Sequence, residues 1–251
     1  MTVTDEAEKL NKAAAEAGVP WILPNEFGSG SSSDAVNQDI MMGIQKQNLR
    51  KQIEQLATSS WIGLTSGFWY EYSLSAGSWS YGFDIKNRTV TFYDDGSQKI
   101  NTSTWPQVGR AVANLLSLKV LPEDENDKGP YLSKFKNELV YISSFQVSQQ
   151  DMFGSLLRVT GTKKEDWKIS NVSVKERFET GKSMLQSGDR RGFGLMLYSR
   201  FFFPDAPGIH PSSNNADLAL PEGNLDEWTG VAVKMATENY FENFVVPRIT
   251  G

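Results

Sequence analysis

The chain has no cysteine, a single histidine and no long apolar run. Without cysteine there is no disulfide, no thiolate nucleophile and no zinc–cysteine site. The lone histidine, His210, cannot build a histidine-based triad or a zinc centre with any partner of its own kind. No stretch approaches the roughly 20 apolar residues that a membrane-spanning helix needs, so no membrane partner is expected. A formal net charge of −5 leaves no basic footprint for nucleic acid. Residues 1–12 are polar and acidic, unlike a secretory leader, and a cytoplasmic protein is expected.

Several catalytic signatures are missing as well. No G-x-G-x-x-G follows any apolar run, and Gly188, Gly192 and Gly194 have the wrong spacing for a pyrophosphate cradle. No G-x-x-x-x-G-K occurs, and no tyrosine has a lysine four residues later. The densest acidic stretch, residues 122–127, is a solvated loop. Counted from Asp124, the position where a calcium loop needs a carboxylate is Phe135. No metal site is expected.

What is present centres on residues 19–75. Two apolar strands, 19–24 and 61–65, bracket a helix over 38–57, the pattern of a parallel βαβ unit covered on both faces. Sites in such folds gather at the carboxyl ends of the strands. Those ends are the turn Asn25-Glu26-Phe27-Gly28 and the aromatic run Phe68-Trp69-Tyr70-Glu71-Tyr72. On the helix, Met42, Lys46, Leu49, Ile53 and Leu56 follow at spacings of four and three and form one stripe. A lysine in that stripe either snorkels to the helix edge or sits in a polar pocket, where it can serve as a base or donor. With Asn25, Glu26, Tyr70, Glu71 and Tyr72, it outlines an aromatic pocket suited to a small, flat, hydrophobic molecule.

Elsewhere a first helix runs to about Ala17 with Gly18 as its stop, and a serine- and glycine-rich loop spans 28–33. A hairpin turns at Lys86-Asn87, and Pro106 opens a helix to about Leu118 with stripe Val108, Val112, Leu115 and Leu116. A third buried strand covers 138–145, Ser148 caps a helix through Val159, and a short strand covers 167–173. Helices are expected over 174–186, 190–203 and 226–241.

Four segments together resemble the NmrA-like, isoflavone-reductase-like family of atypical short-chain reductases, in its fungal form. They are AAEAGVPWILPNEFG at 14–28, KQNLRKQIE at 46–54, WIGLTSGFWYEY at 61–72 and NTSTWPQVGRAVANLL at 101–116. The resemblance implies a three-layer α/β, Rossmann-like parallel sheet with a helical C-terminal substrate cap, NADPH as cofactor, and reduction of a small aromatic or polyketide-like metabolite. It places the family's catalytic lysine on Lys46, the nicotinamide-side turn on Pro24, Asn25 and Phe27, and substrate contacts on Phe68, Trp69, Tyr70 and Tyr72. The glycine-rich cofactor half of that family has no counterpart here. The expectation is therefore one N-terminally truncated domain over 1–251, a sheet remnant over 1–75 followed by the substrate side, binding NADPH poorly. Two other readings stand beside it: a cofactor-independent isomerase or cyclase using Lys46, and a non-catalytic sensor of nucleotides or small molecules. An uncovered apolar sheet edge is expected to pair two copies into a homodimer.

Overall fold

Two prolines cut the first strand short. Pro20 and Pro24 have no N–H to give a ladder, so the expected strand over 19–24 narrows to Trp21–Ile22. The computed structural model describes residues 3–28, 34–40 and 42–240. Most of the expected 28–33 loop lies outside them, as does the last residue of the helix expected over 226–241.

In chain order the described elements begin with α1 (Val3–Glu16), β1 (Trp21–Ile22), α2 (Asp34–Asp39), α3 (Met42–Leu56) and β2 (Ser60–Thr65). Then come β3 (Phe68–Trp69), α4 (Tyr70–Ser75), β4 (Phe83–Asp84), β5 (Thr89–Tyr93), β6 (Lys99–Ser103) and α5 (Trp105–Leu116). The remainder are β7 (Glu138–Tyr141), β8 (Phe145–Ser148), α6 (Gln149–Thr160), β9 (Lys168–Val172), α7 (Val174–Gln186), α8 (Gly192–Phe201) and α9 (Leu225–Thr237).

The chain divides into two units of three segments each. The first holds Met1–Gly67, Pro106–Ser143 and His210–Pro221; the second holds Phe68–Trp105, Ser144–Ile209 and Glu222–Gly251. The chain leaves the first unit after Gly67 and returns to each unit twice.

In the first unit β1, β2 and β7 form a parallel sheet in that order, in register from Trp21↔Ser60 to Thr65↔Tyr141. Ile62 and Leu64, both almost fully buried, pack with Ala111 and Leu115 of α5 and with Val140 and Ile142. Trp61 and Gly63 alternate onto the opposite face. There Arg50 of α3 lies over the Trp61 ring, and the fully buried Ile53 belongs to the same helix. Helices on both faces make this unit three layers deep, which is why β2 is continuously apolar rather than alternating.

In the second unit β3 pairs parallel with β6, which pairs antiparallel with β8. A separate ladder joins β4 antiparallel to β5, and β5 parallel to β9. The expected hairpin is present, with Phe83 opposite Val90. Ser148 caps α6 through a reciprocal pair of bonds with Asp151.

Four expectations need correction. The helix over 38–57 is two helices among the described residues, α2 ending at Asp39 and α3 starting at Met42. Gly43 lets them meet, since a Cβ there would lie 2.5 Å from the Asn37 Cα. The aromatic run expected at the carboxyl end of β2 leaves that strand's sheet. Gly67 turns the chain at φ +66°, and Phe68 and Trp69 join another sheet before α4 begins. The strand over 138–145 likewise ends at Tyr141, where the Asn214 and Asn215 side chains accept from the Tyr141 and Ser143 N–H groups. In α5 the buried residues are Gln107, Ala111 and Leu115, while Leu116 is 59% exposed.

Candidate functional site

The first unit places its functional groups at the carboxyl end of β1. Two tight turns follow the strand, Glu26 N–H to Pro24 C=O at 2.7 Å and Gly28 N–H to Glu26 C=O at 2.5 Å. They lay the Glu26 side chain across Gly63 of β2. A Cβ on that glycine would stand 3.2 Å from Glu26 Cγ and 2.7 Å from Leu139 Cδ2. Glu26 is only 1% exposed. A carboxylate so deeply buried needs counter-charge.

Helix α3 supplies it twice. Lys46 and Arg50 are four residues apart and so project from the same face. Arg50 Nη1 donates to Glu26 Oε1 at 2.7 Å, and its guanidinium lies 5.2 Å from the Trp61 ring centroid. The Trp61 indole N–H in turn donates to Glu54 at 2.8 Å. Lys46 Nζ stands 3.4 Å from Glu26 Oε2, an ion pair without hydrogen-bond geometry.

Lys46 also lines a cavity of about 480 Å³ bounded by α1, the end of β1 and α3. Its walls are largely apolar, from Leu10, Ile22, Leu23, Met42 and Leu49, with Pro24, Asn25 and Gln45 beside the amine. Asn11 fastens α1 to α3 behind it, donating to Gln52 at 2.9 Å. The structure thus brings Lys46, Pro24 and Asn25 to one cavity. Phe27 is placed otherwise, half-buried against the core of Ile62, Leu64 and Val140.

The second unit holds the aromatic run. Phe68 is buried and stacks on Tyr198 with centroids 4.2 Å apart. Tyr70 is fully buried, hydrogen-bonded to Thr229 at 2.7 Å, and burial pushes its hydroxyl pKa well above the ordinary range. Both are core residues in this conformation. Trp69 and Tyr72 are half-buried, each about one ring contact from Trp105, with centroids 6.2 Å away. Glu71 accepts from the Trp105 N–H at 2.8 Å, and burial raises its pKa.

Arg50 and Gly63 were not expected as site residues. The signal for Arg50 was present: two cations four apart on a core-facing helix repel unless an acid lies between them. Gly63 becomes meaningful only once Glu26 is seen to cross it.

No protein-family model matches the chain. An oxidoreductase of Aspergillus flavus named aprR is 26% identical over 239 residues, covering 90% of this chain and 73% of the relative. Among solved structures, an isoflavone reductase superimposes with a TM-score of 0.66 at 19% identity, covering 91% of this chain and 71% of the other. AtPrR2 in complex with NADP+ and (+)-pinoresinol gives a TM-score of 0.67 at 17% identity, with 92% and 70% covered. These likenesses agree on an α/β fold of the isoflavone-reductase type. No helix among the described residues is long and apolar enough to cross a membrane.

Proposed function

We propose, for a chain of the isoflavone-reductase-like and NmrA-like family, the NADPH-dependent reduction of a small aromatic or polyketide-like metabolite. The observation that carries this reading is Lys46: an ammonium group on the wall of a largely apolar cavity, beside a buried carboxylate. The likeness to an isoflavone reductase and to a protein complexed with NADP+ and (+)-pinoresinol supports it. So does the fungal oxidoreductase relative.

Reduction of a carbonyl or enone requires a hydride at carbon and a proton at oxygen. NADPH, when bound, supplies the hydride. Lys46 donates the proton or hydrogen-bonds the oxygen as its charge grows, a role worth about a hundredfold or more in rate. Pro24 and Asn25 shape the nicotinamide end of that cavity. Only that end fits the cofactor. The sequence carries no G-x-G-x-x-G motif, so the fingerprint that usually cradles the phosphates is absent from it. The proposal extends to a cytoplasmic protein whose partners are a small hydrophobic molecule and a second copy of the chain.

The same cavity favours a second reading. A lysine over an apolar cavity can move protons without a nicotinamide, which is isomerase or cyclase chemistry. The two part on an assay of NADPH oxidation with a panel of aromatic enones, ketones and quinones, at millimolar cofactor. The reductase reading expects oxidation that falls about a hundredfold in Lys46→Met. No oxidation with any panel member would overturn it.

A further inference from the structure

We infer that Glu26 is the positioning residue of this cavity. It holds the Lys46 ammonium at the wall by charge alone and leaves the amine's N–H groups to bind a ligand oxygen. The inference rests on the reading of Lys46 given above and adds the group that makes it work, together with the class of ligand it takes.

Three observations carry it. Charge-assisted N–H···O bonds between ammonium and carboxylate settle at about 2.7–2.9 Å. Lys46 Nζ instead stands 3.4 Å from Glu26 Oε2, and that oxygen, although buried, has no hydrogen-bond donor among the described residues. The other oxygen is already taken, by Arg50 at 2.7 Å. Arg50 is kept in place by the Trp61 ring, so it satisfies Glu26 Oε1 without drawing on Lys46.

Charge decides what the cavity accepts. One carboxylate faces two cations, so the buried cluster keeps one positive charge uncompensated. Of the two cations Lys46 alone lines the cavity, with 19% of its side chain exposed. Its three N–H groups have no acceptor among the described residues at hydrogen-bonding distance. The remaining walls are mostly apolar. The matching ligand has an apolar, flat body and one anionic or strongly polarised oxygen: a carboxylate, a phenolate or a conjugated carbonyl. A salt bridge that served stability alone would close to a hydrogen bond, and Gly63 leaves Glu26 seated without strain.

The test labels lysines of the folded chain with acetic anhydride and measures each site by mass spectrometry, with cinnamate as the probe ligand. At about four times its dissociation constant, cinnamate is expected to slow Lys46 labelling about fivefold, since protection scales as one plus that ratio. In Glu26→Gln, Lys46 in the free chain is expected to label about threefold faster or more, on the scale of a partly exposed ion pair, and cinnamate protection is lost. Lys134 and Lys234 are the internal controls. If they too label faster, the variant has unfolded, and Glu26→Asp, which keeps the charge one methylene farther from Lys46, replaces it with a smaller rise in labelling and weakened cinnamate protection expected. Unchanged Lys46 labelling in a folded Glu26 variant overturns the inference, as does wild-type Lys46 that cinnamate fails to protect. The measurement uses neither NADPH nor turnover. Protection without NADPH oxidation would sink the reductase reading alone, and oxidation without protection would sink this inference alone.

Discussion

Lys46 stands 3.4 Å from the buried carboxylate of Glu26 and makes no hydrogen bond to it. That spacing separates two jobs that one ion pair usually combines. Arg50 stabilises the acid, and Lys46 stays free to act on whatever enters the cavity.

Removing the acid therefore exposes an imbalance. Glu26→Gln leaves Lys46 and Arg50 facing each other with no negative charge between them. A fully buried broken pair costs about 3–5 kcal/mol, but both cations here reach solvent in part. A loss of about 1–3 kcal/mol in urea unfolding is expected, against less than about 1 kcal/mol for Lys46→Met. Equal losses in the two variants would show that Lys46, too, is a stabilising partner.

Gly63 is expected to be intolerant. An alanine methyl would meet Leu139 Cδ2 at 2.7 Å and Glu26 Cγ at 3.2 Å. Overpacking of this kind costs about 1–3 kcal/mol. It should also displace Glu26, so Gly63→Ala should lose both stability and Lys46-dependent activity. Stability alone falling, with activity intact, would detach Gly63 from the site.

His210 predicts how the fold responds to acid. Burial pushes its pKa down from 6.5 to about 4. The folded state thus binds this proton more weakly than the unfolded chain does. Stability from the neutral ring is fully present above about pH 6.5 and is lost as pH falls towards 4, by up to about 3 kcal/mol. His210→Phe should flatten that part of the stability profile. An unchanged slope between those pH values would place the acid response elsewhere.

Arg177 is a strut of the second unit. It donates to the carbonyls of Leu195 and Trp79 at 3.0 and 2.6 Å and to Ser199 Oγ at 2.7 Å, and it lies 4.4 Å from the Tyr93 ring centroid. Lysine cannot reproduce that planar fork. Arg177→Lys should destabilise by about 2–4 kcal/mol through several buried acceptors left unpaired. Thermal unfolding with a midpoint like that of the parent chain would contradict this.

Much of this was legible along the chain, because it depends on neighbours in sequence. Ser148 announced the start of α6, whereas the stripe Met42, Lys46, Leu49, Ile53 held only in part: Ile53 is fully buried, Lys46 half-buried and Met42 41% exposed. The rest depends on pairings that local pattern cannot specify. Glu26 and Arg50 lie 24 residues apart. The aromatic run was expected as a substrate surface at the end of β2, yet Gly67 turns the chain into another sheet, and Phe68 and Tyr70 are buried. Apolar character shows that a side chain is buried but not against which partner.

β1 forms one edge of its sheet, with Leu10 and Met42 exposed nearby. Such an edge tends to find a partner. Sedimentation is expected to show a dimer at micromolar concentration, and a monomer throughout would remove the expectation.

NADPH alone is expected to bind weakly. Each charge-assisted bond missing from the pyrophosphate forfeits roughly 1.5–3 kcal/mol, so two or three weaken binding by about a hundredfold or more. Calorimetry that gives saturation at low micromolar concentration would reveal a phosphate site not recognised among these residues.

We propose that the chain directs a hydride and a proton to one small aromatic molecule, with Lys46 providing the proton. The most direct measurement uses NADPH carrying deuterium at the transferable nicotinamide position, at millimolar concentration, with the aromatic enone panel and mass spectrometry of the products. The account predicts a reduced product carrying one deuterium, formed about a hundredfold more slowly by Lys46→Met. A rearranged product of the substrate's own mass, without deuterium, would contradict it and establish proton-transfer chemistry instead.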